Sequence, residues 1–335
     1  MDKNKKQHIY GFDYLRGLAC VLVMLFHYTV QYENSIGHLS KWPITFPMMG
    51  RFGVIVFFIL SGYLSLMHVK ENDTLLSYGI KRATRLYPAY WVGIVLTSVV
   101  VFFLLPRYLR TPLEILINFT MLQEFVNIPN VDGVYWTLLV EVIFYCFIGM
   151  LILLKSKKHI LKFCFVWLAL IVFIDIYNGQ SIFFKILNIL LLVGNGHTFI
   201  IGIALYNMNK YRDIKNMCLS IFLIVIAVLY GFLFVGITEG IFLLVVSLSV
   251  LLVTNIDLKD YACLRPVKFF AQISYPLYLV HQFIGYAIIY NIERIGLTNE
   301  IFVLIPVAVS TLLAFLIHKF VEKPVISLTK KYMKM

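Results

Sequence analysis

The length of the chain's apolar runs is the strongest constraint on its fold. Stretches such as Val54–Leu60, Val92–Leu105 and Ile221–Val235 belong to segments of about 20 residues, the length that an α-helix needs to cross a bilayer. The chain is 61% hydrophobic and 14% charged, whereas a soluble domain is about half apolar and a quarter charged. The sequence therefore predicts an all-α polytopic membrane protein.

Ten membrane spans are predicted. They cover residues 12–32, 48–68, 88–105, 136–154, 160–177, 184–207, 217–235, 240–254, 270–290 and 301–320. Residues 113–125, between spans 3 and 4, are too short to cross a bilayer and are predicted to form an interfacial or re-entrant helix. Span 6 is interrupted by Gly194-Asn195-Gly196-His197. We expect one integral membrane domain over residues 1–335, with no fused soluble domain.

The distribution of positive charge orients these spans. Of the 29 Lys and Arg residues, 22 lie in segments that this arrangement assigns to the cytoplasm, five lie in outer loops, and Arg16 and Arg51 lie within spans. Because basic residues concentrate on the cytoplasmic side, both termini are predicted to be cytoplasmic, in a multi-pass protein of the cell (inner) membrane. Orientation and anionic membrane lipid explain the net charge of +12, so a nucleic-acid partner is not required.

The sequence gives no indication of a metal site. The five cysteines include no CxxC pair, and four of them lie within or at the edge of apolar spans, which is typical of packing residues. The HExxH, Walker and GxSxG patterns do not occur. We therefore expect neither a metal cofactor nor nucleotide hydrolysis. The sequence leaves the oligomeric state open.

The first span carries three ionisable residues, Asp13, Arg16 and His27, which are costly in a membrane and indicate function. Arg16 and His27 are eleven residues apart, so they share one helix face and lie about 16 Å apart along the axis. That face suits a long ligand with an anionic head and a reactive tail. The structural alternatives are an Asp13–Arg16 ion pair at the interface and a packed, neutral His27.

Three further residues could act with the first span. Arg82 and Arg85, at i and i+3, suit phosphate recognition at the cytoplasmic end of span 3, and their alternative role is a simple positive anchor. Glu141 enters span 4 from the outer side and should reach nearly the depth of His27. There it could orient the histidine as a general base, or it could pair with an Arg or Tyr to join helices.

Ser61-Gly62 and His281 can be explained by helix packing alone, and His197 is a weaker candidate for a cavity. Ser61-Gly62 fits close packing between helices, where small residues prevail in membranes. His281 falls near the middle of span 9, where it could form hydrogen bonds between packed helices. His197 lies at the break in span 6, and broken helices often line cavities.

Six segments, in this order, resemble motifs of one known family. FDYLRGLACVLVMLFH contains an Arg followed eleven residues later by a His, FFILSGY has Tyr63 in place of the usual Phe, and KRATRLYP contains R-x-x-R. YWTLLVEVIFY has Thr137 in place of the usual Ser, and ISYPLYLVH and FVEKP complete the set. Together they resemble the membrane-bound acyltransferase-3 family, the O-acyltransferases of bacterial surface glycans.

This resemblance implies transfer of an acyl group, acetyl or succinyl, from cytoplasmic acyl-CoA to a hydroxyl of a surface glycan or lipid-linked sugar. Arg16, Arg82 and Arg85 would bind the donor's phosphates in a central cavity open to both sides. His27 would act as general base with Glu141, or would carry the acyl group as a nucleophile. The site would be supported by five further residues: Asp13, Ser61, Trp136, Tyr275 and His281.

Two other classes of protein compete with this interpretation. A secondary transporter or flippase for a glycan or lipid precursor would also use ten spans, a broken helix and charges within the membrane. The expected pair of interrupted helices in two repeated halves is not evident in the sequence, where only span 6 shows a break. A sensor or purely structural subunit would not need Arg, His and Glu along one path.

Overall fold

In the computed structural model, the described residues are 9–70, 72–156, 159–177, 179, 181–256 and 258–333. Within these ranges the chain is helical and contains no β-strand. The helices are α1 (Tyr10–Phe26), α2 (Tyr32–Ser35), α3 (Met49–His68), α4 (Leu75–Leu104), α5 (Pro112–Asn118), α6 (Trp136–Leu153), α7 (Ile160–Tyr177), α8 (Ile182–Leu190), α9 (Gly196–Lys210), α10 (Ile214–Tyr230), α11 (Ile237–Asn255), α12 (Arg265–Val280), α13 (Gln282–Arg294), α14 (Leu304–Ile317) and α15 (Lys323–Tyr332).

Eight continuous segments among the described residues are long and apolar enough to cross a membrane. They cover Tyr10–Ser35, Met49–His68, Leu75–Leu104, Gly133–Leu153, Ile160–Tyr177, Ile214–Val235, Ile237–Asn255 and Glu300–Tyr332. Large apolar side chains lie on their outer surfaces, and Phe103 and Leu233 are 71% and 77% exposed. A surface of this kind is stable in lipid and not in water. The prediction of an all-α polytopic membrane protein is confirmed.

The other two predicted spans are each built from two shorter helices. Span 6 consists of α8 and α9, and the predicted interruption is confirmed, since Gly194 has a φ of +80°, which glycine adopts at low cost. Span 9 consists of α12 and α13, which meet at His281. At this second break, which the sequence did not predict, the Tyr28 hydroxyl donates a hydrogen bond of 2.9 Å to the His281 carbonyl oxygen.

Helix α4 begins at Leu75 and not at Pro88. Thr74 and Ser77 form a reciprocal capping box, in which each side-chain oxygen accepts from the other residue's backbone N–H. Pro88 therefore lies inside the helix. The loop between predicted spans 2 and 3 therefore ends at Thr74, and residues 75–87, which the prediction left outside the spans, are the first part of α4, where Arg82 and Arg85 line an internal cavity.

The segment between α4 and α6 contains the short helix that was predicted there. α5 begins with a Thr111–Glu114 capping box and ends at Asn118. The Asn118 side chain donates to the carbonyl oxygens of Glu114 and Pro129, which folds the following loop back onto α5. The rest of the predicted helix forms a separate short 3₁₀ turn at Gln123–Val126.

Close contact between backbones fixes the helices around the cavity. α3 packs most extensively against α9, and α1 packs against α12 and α3. A Cβ atom on Gly62 would lie 2.4 Å from the Phe199 carbonyl oxygen, and one on Gly202 would lie 2.1 Å from the Ile59 carbonyl oxygen. Only glycine allows this approach, so the packing role predicted for Gly62 is confirmed.

Candidate active site

A cavity lies among α1, α3, α4, α6 and α12. Its lining consists of Arg16, Val54, Phe57, Phe58, Ser61, Leu64, Ser65, Arg82, Arg85, Thr137, Leu138, Glu141, Tyr145, Ser274, Tyr275 and Tyr278. The structure thus brings together six residues that the sequence singled out: Arg16, Ser61, Arg82, Arg85, Glu141 and Tyr275.

The two ends of the cavity differ in charge. Arg16 lies in the first half of α1, and Arg82 and Arg85 lie in the first half of α4; both helices begin at the side predicted to be cytoplasmic. The opposite end is formed by the first turn of α6, with Thr137 and Leu138, and by neutral groups from α3 and α12. The cavity therefore offers cations at one end and apolar and hydroxyl groups at the other.

The three guanidinium groups lack protein counter-ions at contact distance. Arg16 and Arg85 form no ion pair and no side-chain hydrogen bond with other residues in the described ranges, and Asp13 lies within electrostatic range of Arg16. The Arg82 guanidinium carbon lies 4.5 Å from the centre of the Tyr145 ring, and its buried Nε has no hydrogen-bond partner. Buried donors of this kind are costly to leave unpaired, so the cluster is suited to an anionic ligand.

Glu141 is the carboxylate in this lining. It accepts hydrogen bonds from the Tyr145 hydroxyl and, at 3.3 Å, from the Ser61 hydroxyl. Tyr145 also contacts Arg82, so the carboxylate fixes the ring on which that guanidinium lies. Of the two roles predicted for Glu141, the structure shows the pairing with a tyrosine: its partners are Tyr145 and, on α3, Ser61, and no hydrogen bond joins Glu141 and His27 among the described residues.

His27 instead contacts a second histidine. Its Nδ1 lies 2.8 Å from the Val23 carbonyl oxygen and 3.2 Å from Nε2 of His281. The centres of the two rings are 4.9 Å apart. His281 lies at the junction of α12 and α13 and directs its imidazole against α1. His281 was predicted as a supporting residue, but its pairing with His27 was not.

The hydrogen-bond partners assign one tautomer to each ring. His281 Nδ1 lies 3.0 Å from the Tyr278 carbonyl oxygen and 3.1 Å from that of Leu277, so it carries the proton and Nε2 holds a lone pair. His27 Nδ1 faces two acceptors, the Val23 carbonyl oxygen and His281 Nε2, so this nitrogen also carries a proton. Its Nε2 then holds a lone pair, and it has no hydrogen-bond partner among the described residues. This nitrogen is available as a base or a nucleophile.

The backbone also changes at His27. Residues His27–Gln31 form a π-helical turn between α1 and α2. Such turns occur frequently at functional sites, because they add a residue to the helix and rotate the side chains that follow. The sequence pattern, read with the α-helical period, gave no sign of this turn.

Other residues take more distant positions. Trp136 is the first residue of α6 and is only partly exposed, but it does not line the cavity. Tyr275 donates a hydrogen bond of 2.8 Å to the Leu86 carbonyl oxygen of α4. Sequence reasoning missed Tyr145 and Tyr278. Helical spacing could have found both, since Tyr145 follows Glu141 by one turn and Tyr278 precedes His281 by one turn.

Arg51 and His197 belong to a separate buried network near the outer ends of the helices. Arg51 donates to both carboxylate oxygens of Glu239 and to the Asn195 side chain, and His197 Nε2 lies 3.3 Å from Glu239. This network joins α3, α9 and α11. In the described ranges, no group of three or more His, Cys, Asp or Glu residues is arranged to hold a metal ion.

Comparison with known proteins agrees with the geometry. An acyltransferase domain model of the acyltransferase-3 family matches residues 9–319. An O-acetyl transferase of Shigella phage Sf6 is 23% identical over 228 residues, covering 63% of this chain and 66% of that protein. A putative acetyltransferase, ORF330, of Acidianus two-tailed virus is 26% identical over 147 residues, covering 44% of this chain and 42% of that protein.

The chain thus spans less than two thirds of the length of either curated relative. No solved structure matches it. The family model, by contrast, covers nearly the whole chain and includes every residue that lines the cavity, together with both histidines. On this evidence the chain belongs to the acyltransferase-3 family of membrane acyltransferases.

Proposed function

We propose that this protein transfers an acyl group, most simply acetyl, from cytoplasmic acyl-CoA to a hydroxyl of a surface or lipid-linked polysaccharide. The observation that carries the proposal is one cavity with a histidine pair beyond one end and, at the other, three guanidinium groups that have no carboxylate at contact distance among the described residues. Acyl-CoA has a matching distribution of groups, with its phosphates at one end and its thioester at the end of a long arm.

The arginines are proposed to bind the phosphates of the donor. Arg16, Arg82 and Arg85 lie in the half of the cavity predicted to face the cytoplasm. Glu141 limits their repulsion and holds Tyr145, which in turn supports Arg82. About 16 Å along α1 separates Arg16 from His27, a distance that an extended arm must span.

His27 is proposed to act as the general base. Its Nε2 takes the proton of the acceptor hydroxyl as that oxygen attacks the thioester carbonyl carbon. The C–S bond then breaks, the sulfur receives the proton, and the products are the ester and free CoA. His281 keeps the proton on His27 Nδ1 and stabilises the imidazolium that forms, which is the role that the sequence assigned to Glu141.

The test uses inside-out membrane vesicles that contain the protein and its native glycan, supplied with labelled acetyl-CoA. His27→Ala should lower transfer by about 100-fold or more, the usual contribution of a general base. Arg85→Ala should raise KM for acetyl-CoA by about tenfold, since a hydrogen bond to a charged group contributes about 1.5–3 kcal/mol. Arg212→Ala, on an exposed residue away from the cavity, is the matched control. Full activity of the His27 variant would disprove the proposal.

A trapping experiment separates the base from the nucleophile. In vesicles without acceptor glycan, labelled acetyl-CoA is added and the reaction is stopped with acid. A general base leaves the protein unlabelled, whereas a nucleophilic His27 leaves an acyl-imidazole that is absent from His27→Ala. If the wild-type protein is labelled and the His27→Ala variant is not, the acyl group is transferred in two steps through His27, and not directly as proposed here.

A further inference from the structure

The cavity ends before it reaches His27. At this level α1 packs directly against α3, where a Cβ atom on Gly53 would lie 2.2 Å from Val23 and 3.2 Å from the Ala19 carbonyl oxygen. On the other side of α1, Cys20 Sγ lies 3.8 Å from the Ser274 carbonyl oxygen of α12. At this level α1 therefore contacts α3 on one side and α12 on the other, and His27 is not part of the cavity lining. The side chain that links the lining to the histidine pair lies between α6 and α12.

The Tyr278 side chain fills the space between α6 and α12. Its ring lines the cavity and also packs against His281, with 5.7 Å between the ring centres. Its hydroxyl donates a hydrogen bond of 2.8 Å to the Val134 carbonyl oxygen and lies 2.7 Å from Thr137 Oγ1. Because Val134 directly precedes α6 and Thr137 lies in its first turn, these contacts hold the ring at the boundary between the cavity and the histidine pair.

We infer that Tyr278 determines which acyl groups this protein transfers. The inference rests on the proposed function. A bound donor has its phosphates at the arginines, and its thioester carbon must reach His27. The acyl chain, bonded to the same carbon, has to be accommodated between His27 and the Tyr278 ring, which packs against His281. A short chain fits beside the ring, and each added methylene has to displace it.

The charge around Tyr278 further limits which acyl groups the site accepts. Among the lining residues, Thr137 lies within hydrogen-bond distance of the Tyr278 hydroxyl, and the charged group within electrostatic range of Tyr278 is the Glu141 carboxylate. The guanidinium groups lie at the opposite end and are occupied by phosphate in the proposed complex. A carboxylate at the end of the acyl chain would have no counter-ion here. The site therefore favours acetyl over succinyl.

The wild-type protein gives the first test, with acetyl-, propionyl-, butyryl- and succinyl-CoA in the same inside-out vesicles. One methylene in a fitted pocket changes kcat/KM by about 10- to 200-fold. We therefore expect kcat/KM to fall by at least about tenfold from acetyl to butyryl, and succinyl to be transferred least. Equal transfer of acetyl and butyryl by the wild-type protein would overturn the inference without any variant.

Substitution of Tyr278 gives the second test. Tyr278→Ala removes the ring, so the ratio of butyryl to acetyl transfer should rise by about tenfold or more. Tyr278→Phe is the matched control, since it keeps the ring and loses only the hydroxyl, and its ratio should stay within about threefold of the wild-type value. Tyr278→Leu, with intermediate bulk, gives an intermediate ratio and replaces the Ala variant if that variant does not fold. An unchanged ratio in a folded variant that lacks the ring would disprove the role of Tyr278.

The two proposals fail in different ways. If wild-type vesicles transfer no acyl group from any of the four donors, the proposed function fails and the role of Tyr278 fails with it. If acetyl transfer is robust but the length preference does not follow the side chain at position 278, only the inference fails. A preference that follows the ring and not the hydroxyl supports both.

Discussion

The hydrogen bond between His27 and His281 is a contact at the residue scale that single substitutions can test. His281→Leu removes one of the two acceptors that His27 Nδ1–H faces and leaves the Val23 carbonyl oxygen, whereas His281→Gln offers an amide oxygen in place of the imidazole. A hydrogen bond to a group that becomes charged contributes about 1.5–3 kcal/mol, so the Leu variant should lose about 10- to 100-fold in kcat. KM for acetyl-CoA should change little, and the Gln variant should recover part of the loss.

This pattern separates a positioning residue from a structural one. A merely structural His281 would lower the amount of folded protein in both variants alike, and would leave kcat per folded molecule unchanged. The same kcat in the wild-type and Leu proteins would refute the proposed role of the pair.

Asp132, just before the segment that enters the membrane, makes the stability of the outer loop depend on pH. Its side chain is fully buried and accepts hydrogen bonds from the backbone N–H groups of Phe283 and Val134. Burial nevertheless raises the pKa of this carboxyl from its ordinary value of 3.8 to about 7. The folded protein thus binds this proton more tightly than the unfolded chain. The resulting stabilisation is complete below about pH 4 and is lost as the pH rises towards about 7.

We therefore expect Tm of the purified protein to fall between about pH 5 and about pH 8. In Asp132→Asn, which imitates the neutral acid and cannot ionise, the fall should be smaller by a few degrees. Thermal unfolding followed by tryptophan fluorescence measures both profiles. Parallel profiles of the two proteins would show that Asp132 does not contribute.

At the residue scale, the sequence predicted which charged side chains lie together in the cavity better than it predicted their partners. Arg16, Arg82, Arg85 and Glu141 were all expected at a site, because charged groups in apolar spans need a reason to be there. The choice of Glu141 as the partner of His27 rested on depth alone. Depth does not fix the rotation of one helix against another, and Glu141 faces Ser61 and Tyr145 instead.

At the scale of the elements, the helices that differ from the prediction, α4 and the pair of α12 and α13 joined at His281, are ones that carry candidate site residues. The stretch before Pro88 looks like a loop in the sequence because it is rich in charge, yet it is the first part of α4. Its arginines face a cavity, and hydropathy cannot distinguish a cavity from water. No glycine marks the junction at His281 in the sequence, whereas Gly194 marks the interruption of span 6.

Close packing between α3 and α9 leads to a prediction at this scale. Gly62→Ala and Gly202→Ala would each place a methyl group within 2.4 Å of a backbone carbonyl oxygen of the facing helix, which neither backbone can avoid without moving. Both variants should lower Tm and the yield of folded protein, and the loss of helix contact should also reduce acyl transfer.

Gly79→Ala is the matched control, because no atom lies within 4 Å of a Cβ atom at this position in α4. Alanine favours a helix over glycine by about 0.5–1 kcal/mol, so this variant should be as stable as the wild-type protein or more stable. Size-exclusion profiles and thermal melts of the three variants decide the matter. Equal behaviour of all three would mean that the α3–α9 contact does not limit stability.

At the scale of the whole molecule, the positions of basic residues predict an orientation that the described helices can adopt. The exposed Cys263 lies in a loop assigned to the cytoplasm, and the exposed Lys41 lies in a loop assigned to the outside. The same orientation places the arginine end of the cavity inside. It also places the acceptor side, beyond Tyr278 and the histidines, outside.

The last prediction follows from this orientation. A membrane-impermeant maleimide should label Lys41→Cys in intact cells, and it should label Cys263 only after the membrane is opened, because basic loops stay in the cytoplasm. In sealed vesicles, externally added acetyl-CoA should support transfer when the vesicles are inside-out and not when they are right-side-out. Detergent should abolish that difference. Transfer in sealed right-side-out vesicles would mean that donor and acceptor meet on the same side, and the path from the arginines past Tyr278 to His27 would then have no role.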